Sequence, residues 1–169
     1  YIDSETETIE SMNNLIDWLP KNLPSEKQTG IVHGDYSLTN VMIGKDNPNV
    51  IAILDWELST LGDPCADFNY HCLQYTMNPK LADKEFCRNQ GIPVIDDYVK
   101  MYSEKINIDL SEEWDLYSAY NLFKLAGILQ GILGRVRDGT AAHENAAERA
   151  SGVRNLSDTA WNLVEKNFL

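Results

Sequence analysis

Apolar residues recur at helical spacing near the start of the chain, where Ile9, Met12, Ile16 and Leu19 fall on one face. Ser4 with Glu7 three residues on has the form of a capping box, so a helix is predicted over residues 4–23, broken by Pro20 and Pro24. The pattern then changes period. Gly30-Ile31-Val32 is a short apolar run that ends in the polar loop His33-Gly34-Asp35. Residues 41–44 and 49–54 are rich in β-formers, and Lys45-Asp46-Asn47-Pro48 between them is turn chemistry, which predicts a β-hairpin. The second strand, Val50-Ile51-Ala52-Ile53-Leu54, carries no polar residue and is predicted to be buried.

Beyond the loop at residues 55–62 the pattern is helical. Asp63-Pro64 is an N-cap followed by a first-turn proline, opening a helix over residues 64–75. Pro93 opens another to Ile106. Ser111 is read as the cap of a long helix running through Trp114, Tyr117, Tyr120, Phe123, Leu125, Ile128, Leu129, Ile132 and Val136. Those positions cover most of its circumference, so it is expected at the centre of the core, with Asp138-Gly139 ending it. Gly127, Gly131 and Gly134 inside it are expected to permit close packing. Residues 143–168 form an amphipathic stretch with Val153, Leu156, Ala160 and Val164 as its seam. The fold class is α+β, mostly α, around one small hairpin.

Charge narrows the partners. Lys+Arg is 14 against 26 Asp+Glu in 169 residues, a net charge of -12, which disfavours nucleic acid and anionic lipid. No apolar run is long enough to span a bilayer. Cys65, Cys72 and Cys87 are odd in number and lack metal-ligand spacing, so reduced thiols and a cytoplasmic setting are expected. Cys65 and Cys72 lie two helical turns apart, too far for a disulfide.

The candidate chemistry lies at the ends of the hairpin. Asn40 stands where its first strand begins and Asp55 where its second ends, so the fold-back brings them side by side. An amide oxygen beside one carboxylate suits Mg²⁺, which takes few protein carboxylates and leaves positions for water and phosphate. Asp35, five residues before Asn40, can face the same spot without being a ligand. A free carboxylate beside an Asn/Asp metal pair is the equipment of phosphoryl transfer from ATP, with Asp35 as base and Asn40 and Asp55 as ligands.

The order Asp-x4-Asn followed by a metal Asp is the catalytic-loop order of protein kinases. Here Gly34 replaces the Arg before the Asp, and Trp56-Glu57 replaces the Phe-Gly after the metal Asp. In those respects the chain resembles the aminoglycoside phosphotransferase and choline kinase superfamily. Residues 55–64 with Asp67, and later Phe123-Lys124-Leu125-Ala126 with Gln130-Gly131, resemble the kinase-like domain of acyl-CoA dehydrogenase family members ten and eleven and their bacterial relatives. The resemblance spans residues 31–139. It implies the C-terminal lobe of a protein-kinase-like fold, with His33 bracing the loop, Asp67 hydrogen-bonding the loop backbone, and Glu57 reaching metal or substrate.

The superfamily also uses an N-terminal lobe with a phosphate-covering loop, a strand-borne Lys and its Glu partner. The residues before Asp35 read as one helix and a linker, and Lys21 and Lys27 flank turns. The chain is therefore expected to be one C-terminal lobe, residues 1–169, that turns over poorly without the lobe belonging to the same polypeptide. The acceptor is expected to be a small-molecule hydroxyl, hydroxyacyl or aminoglycoside-like. Arg135, Arg137 and Arg149 are candidates for a phosphate-bearing substrate, against a solvated helix face. The competing readings are a non-catalytic kinase-like scaffold domain and a phosphohydrolase using Asp55 and Glu57.

Overall fold

The structure is a computed structural model that describes residues 1–24, 28–142 and 145–169, excepting the Arg149 side chain. Lys27, His143 and the Arg149 side chain thus lie outside the described residues. In chain order the elements are α1 (Glu10–Asn22), β1 (Gly30–Val32), β2 (Val41–Ile43), β3 (Val50–Ile53), β4 (Thr60–Gly62), α2 (Pro64–Met77), α3 (Pro79–Ala82), α4 (Lys84–Asn89), α5 (Ile95–Ile106), α6 (Trp114–Arg137), α7 (Ala146–Arg149) and α8 (Val153–Phe168). Two compact units divide the chain, one of Tyr1–Pro24 with Ser118–Leu169, the other Ser25–Tyr117.

In the first unit α1 packs on α8. Ile9, Met12, Leu15 and Leu19 on one side and Val153, Leu156, Ala160 and Val164 on the other are all buried, so the seam read from the C-terminal stretch is where α8 meets the core. The start of α1 differs from expectation. Ser4 does not cap it; its hydroxyl donates to the Tyr1 carbonyl at 2.9 Å and closes a short 3₁₀ turn, Ile2–Ser4. A serine hydroxyl satisfied by a nearby carbonyl stabilises a local turn at the expense of the helix. The helix also runs past Pro20 to Asn22.

The long helix α6 begins at Trp114, and the expected cap Ser111 instead donates its backbone N–H to the Asp109 carboxylate at 2.9 Å. Leu116, Tyr117, Ser118 and Ala119 are buried in succession, which covers most of the circumference near its start as the apolar pattern suggested, while further along Ala126 is buried and Ile128 exposed. Gln130 is wholly buried and gives its amide to the Ser4 carbonyl at 2.6 Å. Of the three helical glycines only Gly134 is sterically demanded: a Cβ there would lie 2.7 Å from Ser4 Cβ, whereas Gly127 and Gly131 meet nothing nearer than 3.9 Å.

The second unit holds the β structure. The hairpin is present, with β2 antiparallel to β3 and Val41 opposite Ile53. A second two-stranded sheet, absent from the sequence reading, pairs β1 with β4 through Ile31 opposite Leu61. β4 escaped notice because Thr60-Leu61-Gly62 is too short to show a period. The buried second strand is corrected: Val50 and Ile51 are 53% and 61% exposed. Apolar content alone does not say what covers a strand. The core of this unit lies on α2, where Cys65, Phe68 and Cys72 pack with Leu110 and Tyr117. The Phe68 ring stacks on Tyr102 with centroids 3.8 Å apart. Cys65, Cys72 and Cys87 are buried free thiols, and burial pushes the Cys72 thiol up to about 12. Among the described residues no helix is long and apolar enough to cross a membrane.

Candidate active site

His33, Asp35, Asn40, Asp55, Glu57 and Asp67 all fall in the second unit, whereas the candidate phosphate binders Arg135, Arg137 and Arg149 fall in the first. The loop after β1 is shaped first by Gly34. Its φ is +86°, and a Cβ there would sit 2.5 Å from the Leu58 carbonyl oxygen, so any L side chain meets both a torsional and a steric penalty. That constraint gives a local reason for glycine where a protein kinase has arginine.

Helix α2 then grips the loop residue by residue. Its N-terminus is set by Asp63, whose carboxylate accepts the Cys65 N–H at 2.9 Å and the Tyr117 hydroxyl at 2.6 Å. One turn on, Asp67 accepts the His33 N–H on one oxygen and the Gly34 N–H on the other, the latter at 2.9 Å. Both loop residues are buried, so these bonds satisfy donors that water does not reach. One further turn on, the Tyr70 hydroxyl donates to Asp35 Oδ1 at 2.9 Å. Beside it the His71 ring lies 5.4 Å from that of Tyr36.

His33 is 3% exposed and bridges the two loops of the site. Its Nδ1 accepts the Asp35 N–H at 3.2 Å, which leaves Nε2 to donate to the Leu54 carbonyl at 2.7 Å. Both ring nitrogens are thus occupied by backbone. The ring ties Asp35 to the residue before Asp55. The Trp56 ring packs on it at 4.7 Å and donates Nε1–H to the Ile53 carbonyl at 2.8 Å.

Asn40 and Asp55 stand at the same end of the hairpin, where the Leu54 N–H donates to the Asn40 carbonyl at 2.8 Å. The Asn40 amide nitrogen donates to the Asp35 carbonyl at 2.9 Å and to Asp35 Oδ2 at 3.0 Å. Two acceptors facing one side-chain atom assign it as nitrogen, which leaves Oδ1 out of both bonds. Asp55 is exposed and left-handed, with φ 65° and ψ 58°, an unusual conformation for a residue bearing a Cβ. It precedes a 3₁₀ turn, Trp56–Leu58, without a side-chain capping bond. Glu57 is exposed on that turn.

Asp35 therefore has a hydrogen-bond donor on each carboxylate oxygen, Tyr70 on one and Asn40 on the other. Burial, and then the bond to Asp35, push the Tyr70 phenol up, so it stays a donor. Burial pushes His71 down. Tyr70 was not singled out in the sequence, and His71, read there as a residue without chemistry, lines the loop beside Tyr36. A signal for Tyr70 existed: it lies three residues after Asp67, on the helix face already assigned to the loop. Arg137, a candidate phosphate binder, is instead held by Asp138 at 2.8 Å and the Glu5 carbonyl at 2.9 Å.

The Asp35 carboxylate is thus oriented between the Tyr70 hydroxyl and the Asn40 amide. Residues 1–120 match the model of the phosphotransferase enzyme family. The chain belongs to that family. Its relatives include acyl-CoA dehydrogenase family member 10 of Mus musculus, 37% identical over 98% of this chain and 16% of the relative. Acyl-CoA dehydrogenase family member 11 of Homo sapiens is 33% identical over 95% of this chain and 21% of the relative. A crystal structure from Ralstonia eutropha that carries the name aminoglycoside phosphotransferase superposes with a TM-score of 0.91 at 40% identity, covering 100% of this chain and 53% of that one. The chain thus spans about a fifth of the curated relatives and half of the solved neighbour. The superfamily and the mostly helical α+β class expected from the motifs agree with these matches.

Proposed function

We propose that this chain carries the catalytic half of a small-molecule kinase, moving the γ-phosphoryl group of ATP to an alcohol. The observation that carries the reading is the Asp35 carboxylate, held on one oxygen by Tyr70 and on the other by Asn40. Each carboxylate oxygen keeps a second lone pair, so the group can still accept a proton. In the proposed step the acceptor oxygen bonds to the γ-phosphorus, the bond from that phosphorus to the bridging oxygen of ADP breaks, and the hydroxyl proton passes to Asp35.

Asn40 Oδ1 and the Asp55 carboxylate would hold Mg²⁺. This donor set fits that cation, since it offers oxygens only and few carboxylates. When bound, Mg²⁺ would neutralise charge on the β- and γ-phosphates. Asp67 and His33 keep the loop in shape, and Glu57 is assigned to the cation or substrate side by family resemblance.

The lysine-bearing lobe is proposed to come from elsewhere in the same polypeptide. Two observations support this. The chain covers only 53% of the solved neighbour, and the two small sheets expose Ile31, Leu61, Met42, Ile43, Val50 and Ile51. Three buried free thiols favour a reducing, cytoplasmic setting. The relatives are named for acyl-CoA and for aminoglycosides, so the two acceptor classes proposed are hydroxyacyl compounds and aminoglycosides. A hydroxyl-substrate screen on the full-length polypeptide, reading ADP release, separates them. The base assignment is tested by Asp35→Asn in the same polypeptide: phosphotransfer should fall by about a thousandfold or more, with Mg·ATP binding retained. Unchanged ATP consumption would sink the reading.

A further inference from the structure

Helix α2 touches successive loop residues with successive rungs: Asp67 holds His33 and Gly34, Tyr70 meets Asp35, and His71 faces Tyr36. The first contact fixes backbone. The second falls on the side chain to which proton transfer has been assigned. A carboxylate turns readily about its last torsion, so a single hydrogen bond leaves its plane loose. Asp35 has two, from Tyr70 at 2.9 Å on Oδ1 and from Asn40 at 3.0 Å on Oδ2.

We infer that Tyr70 is a positioning residue for phosphoryl transfer, fixing the plane of the Asp35 carboxylate so that its remaining lone pairs point at the acceptor hydroxyl. This rests on Asp35 being the base. Asn40 has a competing duty, because the same residue is assigned to the cation; if it shifts on cation binding, it cannot alone keep the carboxylate oriented. Tyr70 has no such duty and sits on a helix anchored at its N-terminus by Asp63. A misplaced base loses rate steeply, because proton transfer requires alignment as well as proximity.

Tyr70→Phe keeps the ring and removes only the hydroxyl. In the full-length polypeptide it should lower kcat roughly ten- to hundredfold while leaving KM for ATP and the melting temperature little changed. The double variant Asp35→Asn/Tyr70→Phe should be no slower than Asp35→Asn alone, since a positioning hydroxyl contributes to rate through the carboxylate it holds. A purely structural tyrosine would slow both backgrounds alike. A crystal structure of Tyr70→Phe gives a readout without activity: the Asp35 carboxylate should rotate away or spread over several orientations. Unchanged kcat in Tyr70→Phe alongside an inactive Asp35→Asn overturns this inference and leaves the base reading standing. Full activity in Asp35→Asn removes both. A double variant much slower than Asp35→Asn, or a carboxylate still in place, also overturns it.

Discussion

Asp35 lies in the loop that enters the β2–β3 hairpin, and Asp55 in the loop that leaves it. The first is held from every side. The glycine before it is sterically required, the two preceding N–H groups end on Asp67, and both of its oxygens receive donors. The second is exposed, left-handed and makes no capping bond. Under the proposed chemistry the contrast has a physical reason. A proton acceptor works only in one orientation, so its surroundings must impose it beforehand. A ligand to a hydrated Mg²⁺ can take its final orientation from the ion and its phosphates. The entering loop is thus built by the fold, and the leaving loop is left for ligands to complete.

The contrast predicts unequal costs. Gly34→Ala should be the most damaging change, lowering stability by about 2–4 kcal/mol through the forced positive φ and the clash with Leu58, and lowering activity with it. Denaturant unfolding checks this, and a loss below about 0.5 kcal/mol would mean that the loop is not tightly built. Asp67→Ala should cost about 2–3 kcal/mol, because two buried N–H groups lose their acceptor, and Asp67→Asn should recover about half of that through its one remaining oxygen. Asp55→Asn belongs to the other loop. Its stability should stay within about 0.5 kcal/mol of the parent while Mg²⁺-dependent transfer is lost. A stability loss as large as that of Gly34→Ala would erase the contrast.

The smallest effect concerns His71, beside Tyr36 and hydrogen-bonded to Tyr98 at 3.2 Å. Burial lowers its pKa from 6.5, so the folded protein resists a proton that the unfolded chain accepts. Its contribution to stability is therefore complete above the unfolded value and is lost as pH falls below it. Between about pH 7 and pH 5 the parent should lose more stability than His71→Gln, since the carboxylates titrate alike in both. Parallel losses would show that the aromatic wall beside the loop is wet.

The order His33-Gly34-Asp35 … Asn40 … Asp55 was enough to name the family and the candidate trio, because that chemistry needs particular side chains at particular offsets along one short stretch of chain. The Asp63 cap, the hairpin and the seam of α8 were legible for a similar reason, as each depends on residues close in sequence. Contacts distant along the chain were not legible. Nothing local marks Thr60-Leu61-Gly62 as the partner of β1, or Ser4 as the neighbour of Gly134. Nor does apolar content say that Val50 and Ile51 are exposed, because exposure depends on what else is brought near. The hold on Asp35 is of this second kind. Its donor Tyr70 is thirty-five residues away, and only the packing of α2 against the loop after β1 brings that hydroxyl to the carboxylate.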